Sequence, residues 1–441
     1  MTLKVAIVGS GPAGFYTADA LLKADSACQI DIIDRLPTPY GLIRFGVAPD
    51  HEKTKNVMRG FARTASDERV NFYGDVDIGE ALSLDELRGM YDAVVLAVGA
   101  AHDRKLGLPG EDKPGVVGSA SFVNWYNAHP DFVDRTPDLD TTSVVIIGAG
   151  NVAIDVARVL VKTPAEMAAT DLPDYAARPI HGAPISDVYM VARRGPVEAK
   201  FTNVELREMG HLEQCVPQVT AADLPDAVTG EMSPRDLRVR EKNLETLRAF
   251  TEREADEKPK RVHFVFFASP VEILGDGRAE AVRFERTRVE NGRAVGTGEH
   301  FEIACGLVVA AVGYLSLPVD GAPFDHRNGV VVNEEGRVGP GLYAAGWIKR
   351  GPTGVIGTNK VDGRDCAQQI LDDLGADGGG KSGREALEAL LRARGRRWVD
   401  LDDWRRIEAA EIDAAPEGAP RRKLYRREDF YAVLDEHRAT G

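Results

Sequence analysis

Two β-branched runs, residues 5–8 and 144–147, each lead into a glycine-rich turn and then a helical pattern, which predicts an α/β protein with two Rossmann-like dinucleotide-binding domains. Further apolar runs at 93–98 and 307–312 each stop at a glycine, Gly99 and Gly313, the form expected where the chain crosses between domains. The second domain is therefore expected as an insertion: residues 1–103 and 316–441 form one domain and 104–315 the other.

The first fingerprint is Gly9-Ser10-Gly11-Pro12-Ala13-Gly14, followed by a helical pattern and an apolar run at 30–33 that ends in Asp34. Gly9 allows a tight turn, Gly11 lets backbone approach a pyrophosphate, and Gly14 permits close helix packing. The helix start adds N–H donors and a positive dipole end. Asp34 stands where a carboxylate accepts hydrogen bonds from ribose hydroxyls.

The second copy is Gly148-Ala149-Gly150-Asn151-Val152-Ala153, with alanine in the third glycine position. Its next apolar strand, 188–191, ends in Arg193-Arg194 where the first copy has its acid. Two guanidinium groups there attract a 2′-phosphate through bidentate hydrogen bonds, so NADP(H) is favoured over NAD(H). A proline-bearing stretch at 163–184 lengthens this copy.

With 441 residues, 43% of them hydrophobic, the chain has material for more than one core. No apolar stretch approaches a membrane span, and the first strand starts by Leu3 with no room for a leader, so a cytoplasmic enzyme is expected. Cys28, Cys215, Cys305 and Cys366 lie far apart, which excludes a local redox-active cysteine pair and a clustered iron-sulfur site; no metal site is expected. A net charge of −14 argues against nucleic acid. Arg235, Arg238, Arg240 and Lys242 share a helical pattern, readable as a solvated face or as a docking surface for an acidic protein, and Lys349-Arg350 is a second basic spot.

The turn at 351–358 opens a helical pattern to residue 374, readable as N–H groups aimed at a bound ring or as a helix cap at Thr358. By composition 375–383 is a flexible linker, and 384–441 reads as charged helices around Trp398, Trp404 and Tyr425 without evident chemistry.

Four phrases carry a resemblance that spans nearly the whole chain: LPTPYGLIRFGVAPDH (36–51), GAGNVAIDVARVL (148–160), RRGPVEAKFTNVELREM (193–209) and GWIKRGPTGVIGTNK (346–360). They resemble adrenodoxin reductase and its bacterial ferredoxin-NADP reductase relatives, especially the long actinobacterial type. The resemblance implies FAD in the first domain and NADP(H) in the inserted one. By matching position, Ala13, Asp34, Leu42, Ile78, Trp347, Gly354, Val355 and Ile356 would contact FAD beside the fingerprint glycines. Ala149, Gly150, Asn151, Val152, Arg193, Arg194 and Glu205 would contact NADP(H), with Gly354 near both cofactors.

The resemblance also gives His51 and Glu208 positioning and proton-relay roles beside flavin and nicotinamide. Read alone, His51 only follows a loop, and Glu205 and Glu208 only share a helical face. The sequence departs from the family pattern at Val197-Glu198-Ala199-Lys200, where relatives more often carry uncharged residues.

The implied reaction passes a hydride from NADPH to FAD and then single electrons to an iron-sulfur ferredoxin, with Arg238, Arg240 and Lys242 as candidate docking residues. A flavodoxin acceptor, a flavin monooxygenase and a non-catalytic dinucleotide sensor are the alternatives. A glutamate synthase small subunit would need a cysteine-rich iron-sulfur domain ahead of the first strand.

Overall fold

The computed structural model describes residues 2–24, 27–375 and 378–440. Two compact units emerge, Met1–His102 with Tyr314–Gly441 and Asp103–Gly313, their junctions one and two residues before the boundaries read from the sequence.

In the first unit six strands run in the order 337–339, 342–344, 93–96, 4–8, 29–34, 70–74, all parallel except the edge strand Arg337–Gly339. Alternate side chains feed two cores. Val5 and Ile7 lie in one with Phe15 and Ile30, and Ala6 and Val8 lie in the other with Ile33 and Leu96. A sheet covered on both faces explains why these strands read as continuous apolar runs. Fully burying each of the valine, isoleucine, leucine and phenylalanine side chains contributes roughly 1.5–3 kcal/mol.

The second unit repeats the plan with six parallel strands in the order 116–118, 307–310, 143–147, 187–191, 260–265, 215–219. Val144 and Ile146 enter one core and Val145 and Ile147 the other. An antiparallel sheet of Ala268–Leu274, Ala281–Glu290 and Arg293–Ala304 is added. Its long hairpin turns at Asn291-Gly292, both with positive φ (51° and 73°), as a two-residue loop needs to match strand twist.

One sequence expectation, the flexible linker, changes, and two other stretches gain structural detail. The stretch 163–184 holds two short helices, Pro164–Met167 and Asp174–Gly182, whose Met167, Ala176 and Ile180 enter the core. The described part of the linker is docked: Gly379 N donates to Asp92 Oδ1 (2.7 Å) and Gly383 N to Met90 O (2.8 Å). Ala376 and Asp377, which fall within the same expectation, lie outside the described residues. The tail is helical as expected and also supplies core, since Leu387, Leu391, Trp404, Ile407, Phe430 and Leu434 are all buried.

Among the described residues no helix is long and apolar enough to cross a membrane. All four cysteines are buried and outside any disulfide, and burial pushes the thiols of Cys215, Cys305 and Cys366 up to about 12.

Candidate dinucleotide sites

Each glycine turn sits where its sheet reverses strand order. Strand Lys4–Val8 has 29–34 on one side and 93–96 on the other; strand Ser143–Ile147 has 187–191 and 307–310. The crevice at the carboxyl end of such a switch point is where open α/β sheets bind ligands.

The glycines divide into two kinds. A Cβ on Gly9 (φ +112°) would stand 2.4 Å from Ala97 O, and one on Gly148 (φ +148°) 2.3 Å from Ala311 O. These two let the turn press against the neighbouring strand end. A Cβ on Gly11 or Gly150 would meet nothing within 4 Å. The open space at those two positions, at the start of helices Pro12–Ala24 and Asn151–Val161, is what a pyrophosphate on helix N–H groups requires. Gly150 caps the second helix with no side-chain bond to its first amides.

In the first unit Gly14 holds its helix tight, since a Cβ there would stand 2.0 Å from Gly9 O. Asp34 closes strand Gln29–Asp34 and is fixed by the turn: Oδ2 accepts from Ser10 N (2.7 Å) and Ser10 Oγ (2.6 Å), Oδ1 from Leu36 N (2.9 Å). A carboxylate has lone pairs to spare beyond these three bonds. Ser10, fully buried, was not singled out from the sequence; its place between two fingerprint glycines was the available signal.

The loop 36–51 lies on the same turn, with Tyr40 N donating to Ser10 O (3.0 Å) and a Cβ on Gly41 falling 3.0 Å from Gly11 Cα. It delivers half-buried Leu42. Ile78, also half-buried, follows Val76, whose amide donates to Asp34 O (2.9 Å). Ala13 is buried beneath Gly346, where a Cβ would be 2.6 Å from Ala13 Cβ, and so Trp347 starts its helical turn next to the first helix.

Gly354 and Val355 are exposed and Ile356 half-buried. Of the two readings of this turn, the cap at Thr358 is not met: Gly357 is the N-cap of helix Thr358–Leu374 with no side-chain bond, and Thr358 Oγ1 accepts from Val355 N (3.1 Å). Lys349 and Arg350 are also not a free basic spot, because both face Asp362, at 3.6 and 3.2 Å. His51, half-buried, caps the short helix Glu52–Lys55 with its amide on Ala48 O (3.0 Å).

In the second unit Ala149, Gly150, Asn151 and Val152 are half-buried around their turn. Arg193 and Arg194 follow strand Asp187–Val191, and both carbonyls are held: Thr287 Oγ1 of the antiparallel sheet donates to Arg193 O (2.8 Å), and Phe267 N, just before that sheet, to Arg194 O (3.2 Å). Arg194 Nη1 donates to Gly292 O (3.1 Å) at the hairpin tip, while Arg193 is exposed and has no side-chain partner among the described residues.

The departing segment at 197–200 runs along the glycine turn, with Lys200 N on Ala149 O (2.8 Å) and Thr202 N on Asn151 Oδ1 (2.8 Å). Together with Arg194, Lys200 and Arg240 it lines a cleft of about 750 Å³. That volume suits a small-molecule site, roughly 300–1,000 Å³. The cleft's carboxylates are partly engaged, Glu198 by Gly195 N (3.0 Å) and Asp236 by Ser233 Oγ (2.7 Å).

Glu205 and Glu208 lie half-buried on helix Asn203–Glu208, which Thr202 caps. Both face the fully buried Arg158, each at 3.6 Å from Nη1, and Arg158 Nη2 donates to Asp155 (2.8 Å). This buried cation was missed in the sequence; the signal was an Asp155–Arg158 pair, three apart, inside an apolar helix. His51 belongs to the first unit and Glu208 to the second.

Comparison with known proteins agrees with this geometry. The pattern of the pyridine nucleotide-disulphide oxidoreductase family matches residues 3–209. The mitochondrial NADPH:adrenodoxin oxidoreductase of Arabidopsis thaliana is 43% identical over 98% of this chain and 95% of its own length. The NADPH-ferredoxin reductase FprA of Mycobacterium tuberculosis is 42% identical over 95% of this chain and 96% of its own. The solved structure of M. tuberculosis FprA in complex with NADPH superposes with a TM-score of 0.93 at 40% identity, covering 98% of this chain and 99% of that one. With its two nucleotide folds and these near-full-length relatives, the chain belongs to the family of NADPH:adrenodoxin oxidoreductases and NADPH-ferredoxin reductases.

Proposed function

We propose that this chain is an FAD-dependent ferredoxin-NADP(+) reductase, moving a hydride from NADPH to FAD and single electrons onward to an iron-sulfur ferredoxin. The observation that carries this reading is two glycine cradles of one build, each open at its middle glycine, whose neighbouring strands end in opposite charge, Asp34 and Arg193-Arg194. When bound, FAD supplies the exchange between a two-electron hydride donor and a one-electron acceptor, which side chains cannot provide.

The protein's own part is placement. Gly9, Gly11 and Gly14 admit the FAD pyrophosphate, Asp34 braced by Ser10 accepts from its ribose, and Ala13, Leu42, Ile78, Trp347, Gly354, Val355 and Ile356 wall the remainder. Gly150 and the amides of Asn151 and Val152 receive the NADP(H) pyrophosphate, while Arg193 and Arg194 hold the 2′-phosphate. Glu205 contacts NADP(H), and Arg158 faces both Glu205 and Glu208 on their helix. Glu208 and His51 position the reacting groups and relay a proton.

Docking of the acidic acceptor is proposed on helix Pro234–Thr251, near Arg238, Arg240 and Lys242. Arg235, Arg238 and Lys242 are exposed and share one face by their spacing, whereas Arg240 shares the cleft face with Asp236, Val239 and Asn243. We also propose a cytoplasmic location.

The test is anaerobic reduction of the purified protein by NADPH and by NADH, followed by addition of ferredoxin coupled to cytochrome c. Bleaching of bound flavin faster with NADPH, then ferredoxin-dependent cytochrome reduction, is expected. Bleaching without ferredoxin turnover would move the acceptor to flavodoxin or to oxygen, and a protein that binds without turnover would be a sensor.

A further inference from the structure

The C-terminal extension reaches the loop on the first glycine turn through buried charge. Arg44, in the short helix Leu42–Phe45, is 3% exposed, and Glu411, in helix Leu401–Asp413, is 0% exposed. The guanidinium donates to both carboxylate oxygens, through Nη1 at 2.9 Å and through Nη2. Glu411 also accepts from Leu424 N (2.8 Å) and faces Arg421 (3.5 Å). Lys423, 3% exposed, donates Nζ to Arg44 O (3.0 Å).

The same guanidinium lies 5.3 Å from the ring centroids of Phe45 and Trp404, and Trp404 meets Tyr40 edge-on at 6.0 Å. Tyr40 and Gly41 are the residues laid against Ser10 and Gly11. A buried ion pair is weak evidence for stability, because desolvation offsets most of its attraction. A two-pronged fork does fix direction, which an apolar pair of similar volume would not.

We infer that Arg44, Glu411 and Lys423 are positioning residues for the FAD site, a clamp by which the C-terminal extension holds Tyr40 and Gly41 against the first glycine turn. Retention of the flavin then depends on residues 367 positions apart in the chain. The inference rests on the FAD reading above.

Glu411→Gln keeps the side chain's shape and removes its charge. From the holoenzyme, FAD release followed by flavin fluorescence should become about tenfold faster, equivalent to about 1.4 kcal/mol. Affinity for 2′,5′-ADP, which probes the Asp103–Gly313 unit, should stay at the wild-type value. Asp435→Asn breaks the exposed Arg397–Asp435 bridge of the same extension and should leave release unchanged, separating a clamp from general loosening of the tail. Should Glu411→Gln not fold, Lys423→Met is expected to give a smaller acceleration. Wild-type release from a folded variant at either position overturns the clamp, whereas a wild-type protein that carries no FAD overturns the FAD reading instead.

Discussion

The two units run the same device with different tolerances. Both press the first glycine of the turn against a neighbouring strand end, at 2.4 Å for a Gly9 Cβ and 2.3 Å for a Gly148 Cβ, and both leave the second glycine open. They part at the rim. In the first, Asp34 is tied down by Ser10 and the loop over the turn is gripped by buried charge from the C-terminal extension. In the second, Arg193 is exposed and Arg194 lines a cleft of about 750 Å³. A braced rim suits a cofactor that stays, and an open one suits a substrate that must leave each turnover. The difference follows from what packs against each turn, not from the turn itself.

The two turns are most vulnerable at their first glycines. Gly9→Ala and Gly148→Ala each drive a Cβ into a backbone carbonyl at a positive φ, and soluble yield and thermal stability should fall severely for both. If either folds normally, that turn is looser than its twin. The Arg193 and Arg194 pair comes next: replacing both with uncharged residues should lower kcat/KM for NADPH by about 100-fold, as expected for losing two charge-assisted contacts, and leave NADH nearly unchanged. An unaltered preference between the two would remove the 2′-phosphate from this site.

Gly11→Ala and Gly150→Ala sharpen the contrast further, because neither Cβ meets protein. Both variants should fold, the first losing FAD and the second raising KM for NADPH about tenfold; a loss of folding would show the open space to be structural. Charge reversal at Arg238 and Lys242 should raise the KM for ferredoxin a few-fold at low salt, with ferricyanide reduction intact, because exposed charges steer encounter and are screened by salt. Equal kinetics at low and high salt would put docking elsewhere.

The smallest effect is confined to the second unit. Arg261 beside Asp187 holds its carboxyl well below the usual carboxylate range, with His263 and Ser186 adding hydrogen bonds. A depressed carboxylate contributes stability above its unfolded pKa, near 4, and loses it as pH falls through the folded value. Asp187→Asn should therefore lower Tm by a few degrees at neutral pH, with the gap to wild type closing in acid; a gap that persists at low pH would assign the loss to packing.

Much of this protein is legible in its sequence. Strand, glycine turn, helix and terminal charge are local in sequence, so 5–14 with Asp34 and 144–153 with Arg193-Arg194 declared two nucleotide folds before any contact was known. Apolar runs ending in Gly99 and Gly313 bracket the second fold, which is the local mark of an insertion. Composition misled where it stood in for packing: the glycine run after residue 375 looked like a linker, yet Gly379 and Gly383 are bonded to Asp92 and Met90.

Only the tertiary structure decided the rest. It showed that Ser10 braces Asp34, that Arg158 sits between Glu205 and Glu208, and that Glu411 grips Arg44 across most of the chain. It also split the basic helix into a solvent face with Arg238 and a cleft face with Arg240. The physical reason is the same each time. Backbone turns and hydrophobic periods are set by neighbouring residues, whereas the partner of a buried charge is chosen by which distant segment the fold brings within hydrogen-bond reach.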